Sequence, residues 1–437
     1  MKIKKIGLLG LMAIALFGCK KSDDTPTPPI DPPPPANMAP GAFDLLEATD
    51  GAEGVDFLPT LTWQAATDPE GDTVSYDLFL DTADDPTTLL SGGLSATSFT
   101  VADSLERATD YNWKVVAKDT EGNTTSSVVF GFTTVGLVTP SDPVTSAAEF
   151  TARQGHASAA FDGKLWVIGG NDIDNIQHDV WSSTDGATWT LETADPGFET
   201  RSSHASVVFQ NQLWVIGGVS FRQIDNGPGV PPTDELYYLE DVWSSTNGTD
   251  WIEQADTVGF GPRDGITAGV LGDKIFVIGG FDGTDYKNDV WSTTDGVTWV
   301  EETASAEFSP RSGHTTAIFD NKIWVAGGWN GVDTYNDVWY SSDGVTWTEA
   351  TDDGPFSLPV NMTMTAFDGK LWVIGGFTTT AVNDIWYSSD GVEWRQSLPT
   401  AGFSARGEHT TVLFNDKLWV IGGYDGTSLV NDVWVID

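Results

Sequence analysis

A short pattern that recurs six times constrains this 437-residue chain more than any other feature. Each copy has an apolar strand that ends in Gly-Gly, followed by a strand that begins with Asp-Val-Trp or Asp-Ile-Trp. The six Gly-Gly pairs end at Gly170, Gly218, Gly280, Gly328, Gly376 and Gly423, and the aspartates that follow are Asp179, Asp241, Asp289, Asp337, Asp384 and Asp432. One such unit cannot bury both of its faces alone, so the copies must stack around an axis. The repeats therefore predict an all-β ring over residues 136–437.

Two aromatic positions complete the pattern in the first five copies. A second tryptophan is found at Trp189, Trp251, Trp299, Trp347 and Trp394, and a phenylalanine at Phe198, Phe260, Phe308, Phe356 and Phe403. With the Gly-Gly pairs, these positions resemble the kelch family, whose blades carry Gly-Gly at the end of the second strand and a tryptophan on the fourth. The resemblance implies a six-bladed kelch-type β-propeller. The copper-radical oxidases built on this fold are excluded, because they need a cysteine linked to a tyrosine and the predicted ring contains no cysteine.

The ends of the repeat region predict how the ring closes. The sixth copy stops at Asp437, directly after its third strand, which would leave an exposed sheet edge. Phe150 precedes Arg153 as Phe198 precedes Arg201, so the segment from Thr139 to Ser146 occupies the position of a fourth strand. We expect this segment to pair with the last copy.

The first 37 residues predict export and a membrane anchor. Residues 1–18 have a basic start and an apolar run too short to span a bilayer, which indicates a signal peptide. Cys19 resembles the lipidated cysteine of bacterial lipoproteins, although bulky Phe17 departs from that pattern. Residues 19–37 continue as a proline-rich tether. A plain secretory signal with an incidental cysteine is the alternative.

Residues 38–135 predict a small separate domain. Short runs of alternating apolar and polar residues, such as Tyr76 to Leu80 and Tyr111 to Ala117, are typical of an antiparallel sandwich. The segment resembles a fibronectin type III domain, with Trp63 as its early core tryptophan. The loop from Asp68 to Asp72 is rich in oxygen ligands and is either a calcium site or an ordinary acidic loop.

Charge excludes one class of partner. The chain has 21 basic and 63 acidic residues, a net charge of −42, which repels nucleic acid and anionic membrane surfaces. We expect a monomer that meets the membrane only through its lipid anchor. We expect no cofactor other than the possible calcium ion.

The loop before the first strand of each repeat, here called the Arg loop, carries a regular arginine. The arginines are Arg153, Arg201, Arg263, Arg311 and Arg406, with Pro359 in the fifth copy, and histidines follow at His156, His204, His314 and His409. Ties between neighbouring blades are the simplest role for both residue types, and a histidine metal site is the less favoured alternative. In kelch propellers that bind peptides, residues just after this arginine line the pocket, which implies such a role for Gln154, Ser202, Asp264, Ser312, Val360 and Gly407.

The Arg loops share one face of the ring with the loops between second and third strands, and this face varies most. Fourteen extra residues lie between Gly218 and Asp241, which predicts a long irregular loop with a Gly-Pro-Gly-Val-Pro-Pro turn. An aromatic residue follows Gly-Gly in four copies, and Trp329 differs from the usual Phe or Tyr. The candidate ligand-binding residues are Ser202, Arg222, Tyr237, Tyr238, Asp264, Ser312 and Trp329.

These features favour a binding module over an enzyme. The leading hypothesis is a lipoprotein of the outer membrane or cell surface that presents the propeller to an extracellular glycan or protein. The enzymatic alternative is a sugar-isomerising protein that resembles the kelch sialic acid mutarotases and uses an acid/base pair beside an arginine, drawn from Arg201, Arg263, Asp264 and Arg311. The third alternative is a structural adhesin, which needs no pocket.

Overall fold

The computed structural model of the chain describes residues 36–224, 233–356, 359–377, 379–398 and 400–437. Within these ranges the protein is built from strands and turns, and no helix long and apolar enough to cross a membrane is found there. The predicted signal peptide, Cys19 and nearly all of the tether lie outside the described residues. The turn at residues 227–232 also lies outside them.

The first domain is a sandwich of two sheets. One sheet has the order β1-β3-β6, and the other has the order β2-β9-β7-β4-β5, with β8 pairing to β7. The strands are β1 (Leu45–Glu47), β2 (Ala52–Val55), β3 (Thr60–Trp63), β4 (Ser75–Asp81), β5 (Leu89–Leu94), β6 (Ser98–Thr100), β7 (Asp110–Lys118), β8 (Thr124–Ser126) and β9 (Phe130–Thr134).

The alternation seen in the sequence places one side of each strand in the core of the sandwich. Trp63 and Trp113 are fully enclosed, and Trp63 meets the ring of Tyr76 edge-on at 5.6 Å. The Tyr76 hydroxyl accepts a hydrogen bond from the backbone of Ala66 at 2.9 Å. Aromatic side chains thus fill the space between the two sheets.

Six antiparallel sheets follow in the described residues, here called ring sheets one to six. The strands of sheets one to three are β10 (Ala157–Phe161), β11 (Lys164–Asn171), β12 (Ile176–Ser183), β13 (Thr190–Thr193), β14 (Ala205–Phe209), β15 (Gln212–Ile224), β16 (Thr233–Ser245), β17 (Ile252–Ala255), β18 (Thr267–Leu271), β19 (Lys274–Phe281), β20 (Tyr286–Thr293) and β21 (Val300–Thr303). Those of sheets four to six are β22 (Thr315–Phe319), β23 (Lys322–Ala326), β24 (Val338–Ser341), β25 (Thr348–Thr351), β26 (Thr363–Phe367), β27 (Lys370–Phe377), β28 (Ala381–Ser388), β29 (Arg395–Leu398), β30 (Thr410–Phe414), β31 (Lys417–Tyr424) and β32 (Leu429–Ile436).

The sheets stack face to face around an axis. The first strands contact one another in a cycle, from β10 through β14, β18, β22 and β26 to β30 and back to β10. The second strands are apolar on both sides, as in Leu165 to Ile168, because each lies between two neighbouring sheets, and all four of these side chains are buried. Stacking therefore buries the faces that a single sheet would expose.

The segment before the first ring sheet completes the sixth. The backbones of Val138 and Asp437 exchange two hydrogen bonds of 2.7 and 3.1 Å. Further along, Val144 donates to Val433 at 2.8 Å, and Val433 donates to Thr145 at 2.9 Å. The expected pairing of this segment with the last copy is present, although the pairing is interrupted between these two points, where Pro140 and Pro143 lie.

The sandwich contacts the fifth ring sheet. Arg107 forms an ion pair with Asp368 at 3.3 Å, and its guanidinium lies over the rings of Phe57 and Phe367. The Lys370 ammonium donates to the Thr109 hydroxyl at 3.1 Å. The two domains therefore share polar and aromatic contacts in addition to the connecting chain.

Histidines and hydroxyl groups join neighbouring ring sheets near the axis. The side chains of His314 and Thr267 lie 2.8 Å apart, and the Thr267 hydroxyl also bonds to Thr316 at 2.6 Å. Thr410 joins His156 to Ser158, and Thr363 joins His409 to Thr411, in the same way. Each tie needs a threonine at the start of the preceding sheet's first strand.

The boundary between sheets one and two lacks this tie. At the three boundaries where the tie is present, a threonine begins the first strand of the preceding sheet, but sheet one begins its first strand with Ala157. His204 and Ser206 of sheet two lie on the other side of this boundary. Among the described residues, neither ring nitrogen of buried His204 nor the Ser206 hydroxyl has a hydrogen-bond partner. The missing hydroxyl of residue 157 accounts for the unpaired His204 Nε2 and Ser206 Oγ.

We predict that Ala157→Thr raises the free energy of unfolding by about 1 kcal/mol, because the new hydroxyl satisfies His204 and Ser206. Ala205→Thr is the matched control, since Ala205 is also buried at the start of a first strand but precedes a sheet with Ile266 in place of histidine. That variant should be neutral or destabilised. Denaturant unfolding of both variants makes the comparison, and a loss of stability in Ala157→Thr equal to that in Ala205→Thr would contradict the assignment.

Candidate ligand-binding site

Buried ion pairs hold the Arg loops in place. Arg153 is enclosed, and its guanidinium bonds to both carboxylate oxygens of Asp179 at 2.6 and 3.0 Å and to the carbonyl of Gly169 at 2.9 Å. The same arrangement joins Arg201 to Asp241, Arg263 to Asp289, Arg311 to Asp337 and Arg406 to Asp432. These arginines tie each Arg loop to the third strand of its own sheet, so none of them is free to bind an anion.

The second residue after each arginine position surrounds the axis at the mouth of the ring. These residues are Gly155, Ser203, Gly265, Gly313, Asn361 and Glu408, and all six have a positive φ between 53° and 64°. Backbone hydrogen bonds connect them, including Ser203 to Gly155 at 2.8 Å and Glu408 to Asn361 at 3.1 Å. All six residues line one shared space.

That space is a cavity of about 490 Å³. Its walls carry two carboxyl groups, Asp264 and Glu408, with Ser312 and Asn361 as further polar groups. Asn361 donates to a Glu408 carboxylate oxygen at 3.1 Å. The rings of Phe281, Tyr286 and Trp329 form an aromatic part of the wall. Such a mixture can stack on an apolar ring face and bond to hydroxyl or amine groups.

The carboxyl groups of the cavity differ from ordinary surface acids. Burial raises the pKa of Asp264 to about 6. Burial, and then the nearby charge of Asp264, raises the pKa of Glu408. Both shifts show that the cavity penalises negative charge without neutralising it.

The histidines around the axis are uncharged at neutral pH. Burial, followed by the charge of Arg311, lowers the pKa of His314 to about 3, and His156 and His409 behave alike. Burial and the charge of Arg201 also hold the pKa of His204 well below its usual value. Over the described ranges, no group of three or more His, Cys, Asp or Glu side chains is arranged to hold a metal ion.

The possible calcium loop of the sandwich forms a hydrogen-bonded turn. One carboxylate oxygen of Asp68 accepts from the backbone of Glu70 and Asp72 at 3.0 and 3.1 Å. Burial, followed by the charges of Glu121 and Asp68, raises the pKa of Asp72. The binding of calcium here stays a prediction from the sequence.

Three of the seven candidate residues meet at the cavity. Asp264, Ser312 and Trp329 line it. Tyr238 lies just behind the aromatic wall, with its ring 5.8 Å from that of Phe281. Ser202 is buried beside the Arg loops and donates to the Asn171 side chain at 3.0 Å.

The remaining two candidates lie on the insertion, which is not the irregular loop that the sequence suggested. The extra residues continue β15 and β16 as a paired hairpin, with Phe221 opposite Leu236. Arg222 forms an exposed ion pair with Glu235 at 2.7 Å and lies over the ring of Tyr237. Both sides of the insertion alternate apolar and polar residues, so they can continue the pairing of β15 with β16. The paired strands form more backbone hydrogen bonds than an irregular loop, which explains why a hairpin is found.

Glu408, Asn361 and Tyr286 also line the cavity but were not among the candidates from the sequence. The candidates included residues directly after an arginine, of which Asp264 and Ser312 reach the cavity, whereas the next residue reaches it in every copy. A signal was available, because glycine or serine occupies four of these six positions and only Asn361 and Glu408 carry larger side chains. Tyr286 begins the third strand of sheet three and gave no comparable signal.

A larger cavity of about 780 Å³ lies between the sandwich and the fifth ring sheet. It follows the connecting segment from Thr133 to Thr139 along strand β29. Its charged groups include Arg395, which is paired with Asp110. We attribute this cavity to the passage of the connecting segment, whose residues form much of its wall. Because Arg395 is already paired with Asp110, it offers no free positive charge for a ligand.

Comparison with known proteins agrees with this architecture. Residues 225–400 match the family described as the KLHDC2/KLHL20/DRC7 Kelch-repeats domain, and residues 405–437 match the Kelch motif. Among solved structures, YjhT is similar with 15% sequence identity and a TM-score of 0.54, over 67% of this chain and 96% of that chain. No curated protein sequence matches the chain.

The ring is therefore a kelch-type β-propeller, and the fold is all-β. The repeats identified in the sequence and the likeness to YjhT both support this statement. At this level of identity, the likeness to YjhT concerns the fold alone.

Glu408 has an unusual backbone for its side chain. A positive φ of 54° costs a non-glycine residue free energy, and three equivalent positions use glycine. We predict that Glu408→Gly leaves the free energy of unfolding unchanged or raises it by up to about 1 kcal/mol, because both the strain and a buried carboxyl group are removed. Glu408→Gln, which keeps the strain and the side-chain size, is the control in denaturant unfolding. A Gly variant clearly less stable than the Gln variant would show that Glu408 serves the fold.

Proposed function

We propose that this protein is an exported lipoprotein whose propeller binds carbohydrate at the cavity around Asp264, Glu408 and Trp329. In this proposal the six ring sheets are the six blades of one closed propeller. The sandwich is a fibronectin type III-like spacer, a reading supported by its β1-β3-β6 and β9-β7-β4-β5 strand orders. The mature protein acts as a monomer at the outer membrane or cell surface.

The carrying observation is the combination of groups in one cavity. Trp329 leaves 41% of its surface exposed beside the partly buried ring of Tyr286, so an aromatic wall is open to a ligand. Asp264, Glu408 and Asn361 provide hydrogen-bonding groups in the same cavity. Sugars present an apolar ring face and a rim of hydroxyl groups, which match aromatic and polar walls respectively.

The other hypotheses from the sequence have less support. A sugar-isomerising site of the kind considered there needs a free arginine beside its acid/base pair, and Arg201, Arg263 and Arg311 are each paired with an aspartate. A structural adhesin needs no cavity of this kind. Binding of a protein partner would also engage the exposed hairpin, whereas the carboxyl groups lie in a recess suited to a smaller group.

The first experiment tests carbohydrate binding on a glycan array with the purified protein. We predict that Trp329→Ala weakens binding of the glycans identified by about 1 to 3 kcal/mol, roughly 5- to 150-fold in Kd, because the stacking surface is lost. Val332→Ala is the control, since Val332 lies in the same turn but is 88% exposed and does not line the cavity. No glycan bound, or equal loss in both variants, would reject the proposal.

The second experiment tests the anchor. We predict that cells incorporate labelled fatty acid into the wild-type protein and that Cys19→Ser abolishes this labelling and releases the protein from the membrane fraction. The anchor is covalent, so the effect should be complete. Membrane-bound, unlabelled wild-type protein would contradict lipidation at Cys19.

A further inference from the structure

The cavity carries negative charge that its own walls do not neutralise. Asp264 and Glu408 both line it, and the described residues around it include no lysine or arginine. The nearest arginine along the chain, Arg263, is committed to Asp289 at 2.6 Å. The lining histidines are neutral because they are buried, so they do not compensate either.

A row of aromatic rings runs beside Asp264. The ring of Tyr238 lies 5.8 Å from Phe281, Phe281 lies 4.7 Å from Tyr286, and Tyr286 lies 6.0 Å from Trp329. The faces of aromatic rings attract cations, most strongly where water is excluded. Aromatic rings beside carboxyl groups that have no lysine or arginine partner favour a ligand that is positively charged.

We propose that the ligand of this cavity is a sugar with a free, protonated amine, such as a glucosamine residue. The ammonium group lies between Asp264 and Glu408, and the sugar ring stacks on Trp329. This inference rests on the proposed function and names its ligand class. An acetylated or anionic sugar lacks the charge that the two carboxyl groups require.

The groups around Asp264 determine how binding depends on pH. Tyr238 and Tyr286 face it with pKa values raised by burial and by its charge, so both stay neutral. Glu408 is the second acid, His204 and His314 are neutral, and Asp282, near Tyr238, is paired with Lys287 at 2.5 Å. Over the range from pH 7 to pH 5, Asp264 changes charge, and Glu408, whose pKa is also raised, titrates beside it.

The direction of the pH effect follows from this change. With a pKa of about 6, Asp264 is mostly ionised at pH 7 and mostly protonated at pH 5. Protonation removes its attraction for an ammonium group, so binding of the protonated amine form weakens over this range, while the free ligand's own amine gains protons and is accounted for separately. A neutral sugar makes no charge–charge interaction with Asp264, so its affinity should change much less with pH.

The test compares matched oligosaccharides by isothermal titration calorimetry with the full-length protein. The probes are a glucosamine tetramer and its fully N-acetylated counterpart, each at pH 7 and pH 5. We expect the amine form to bind at least about tenfold more tightly at pH 7, and its affinity, corrected for protonation of the free amine, to fall at pH 5. Spermidine and tetralysine test whether an amine without a sugar is sufficient.

Two isosteric variants assign the effect to the cavity. Asp264→Asn and Glu408→Gln should each weaken the amine tetramer by about tenfold, and Asp264→Asn should also reduce the pH dependence. Both variants keep the size of the side chain, and circular dichroism checks their fold. Unchanged affinity for the amine tetramer in both folded variants would overturn the inference.

The remaining outcomes separate this inference from the proposed function. If the acetylated tetramer or another uncharged glycan binds more tightly, and Trp329→Ala removes that binding, the ligand class is wrong and carbohydrate binding stands. If spermidine or tetralysine binds as tightly as the amine tetramer, the sugar assignment is wrong. If no glycan binds at all, both proposals fail.

Discussion

The propeller depends on one repeated ion pair, between the arginine of the Arg loop and the aspartate of the third strand. The guanidinium is buried, and the carboxylate satisfies it together with the Gly-Gly carbonyl, as in Arg311, Asp337 and Gly327. The same aspartate accepts the indole N–H of Trp339 at 2.7 Å. Each pair therefore holds a loop, a glycine turn and a tryptophan in place together. Removing one partner of such a buried pair costs about 3 to 5 kcal/mol of stability.

This requirement also shapes the cavity. All five arginines of the Arg loops are used inside the blades, so the mouth of the ring is lined without a basic side chain in the described part of the chain. The fifth copy has Pro359 in place of arginine, and no positive charge is gained there. The ion pairs thus fix the position of the Arg loops. The charge of the cavity is determined by the two residues that follow each arginine, such as Asp264 and Glu408.

Sequence periodicity predicted most of the fold because each of the six repeats packs the same positions against its neighbours, so the same residue types recur at the same spacing. It located the Gly-Gly strands, the closing segment near Val144 and the variable face. Spacing alone did not point to Glu408, because a residue two positions beyond an arginine reaches the axis only through a left-handed backbone. Only side-chain size marked the position, since four of the six copies have glycine or serine there. Periodicity also misjudged the insertion, since the pairing of Phe221 with Leu236 depends on registering two strands across a turn.

Selection of a charged ligand by this protein depends on where its charges lie more than on how many there are. The net charge of −42 attracts cations over the whole surface, but exposed charges are screened within about 8 Å at physiological salt. Asp264 and Glu408 are partly buried, and burial raises the pKa of both. An ammonium group placed between them favours the ionised form of both carboxyl groups, which burial disfavours. Exposed acidic residues are already ionised, so an ammonium group gains no such effect from them. The recess at the mouth of the ring can therefore discriminate between ligands where the rest of the surface cannot.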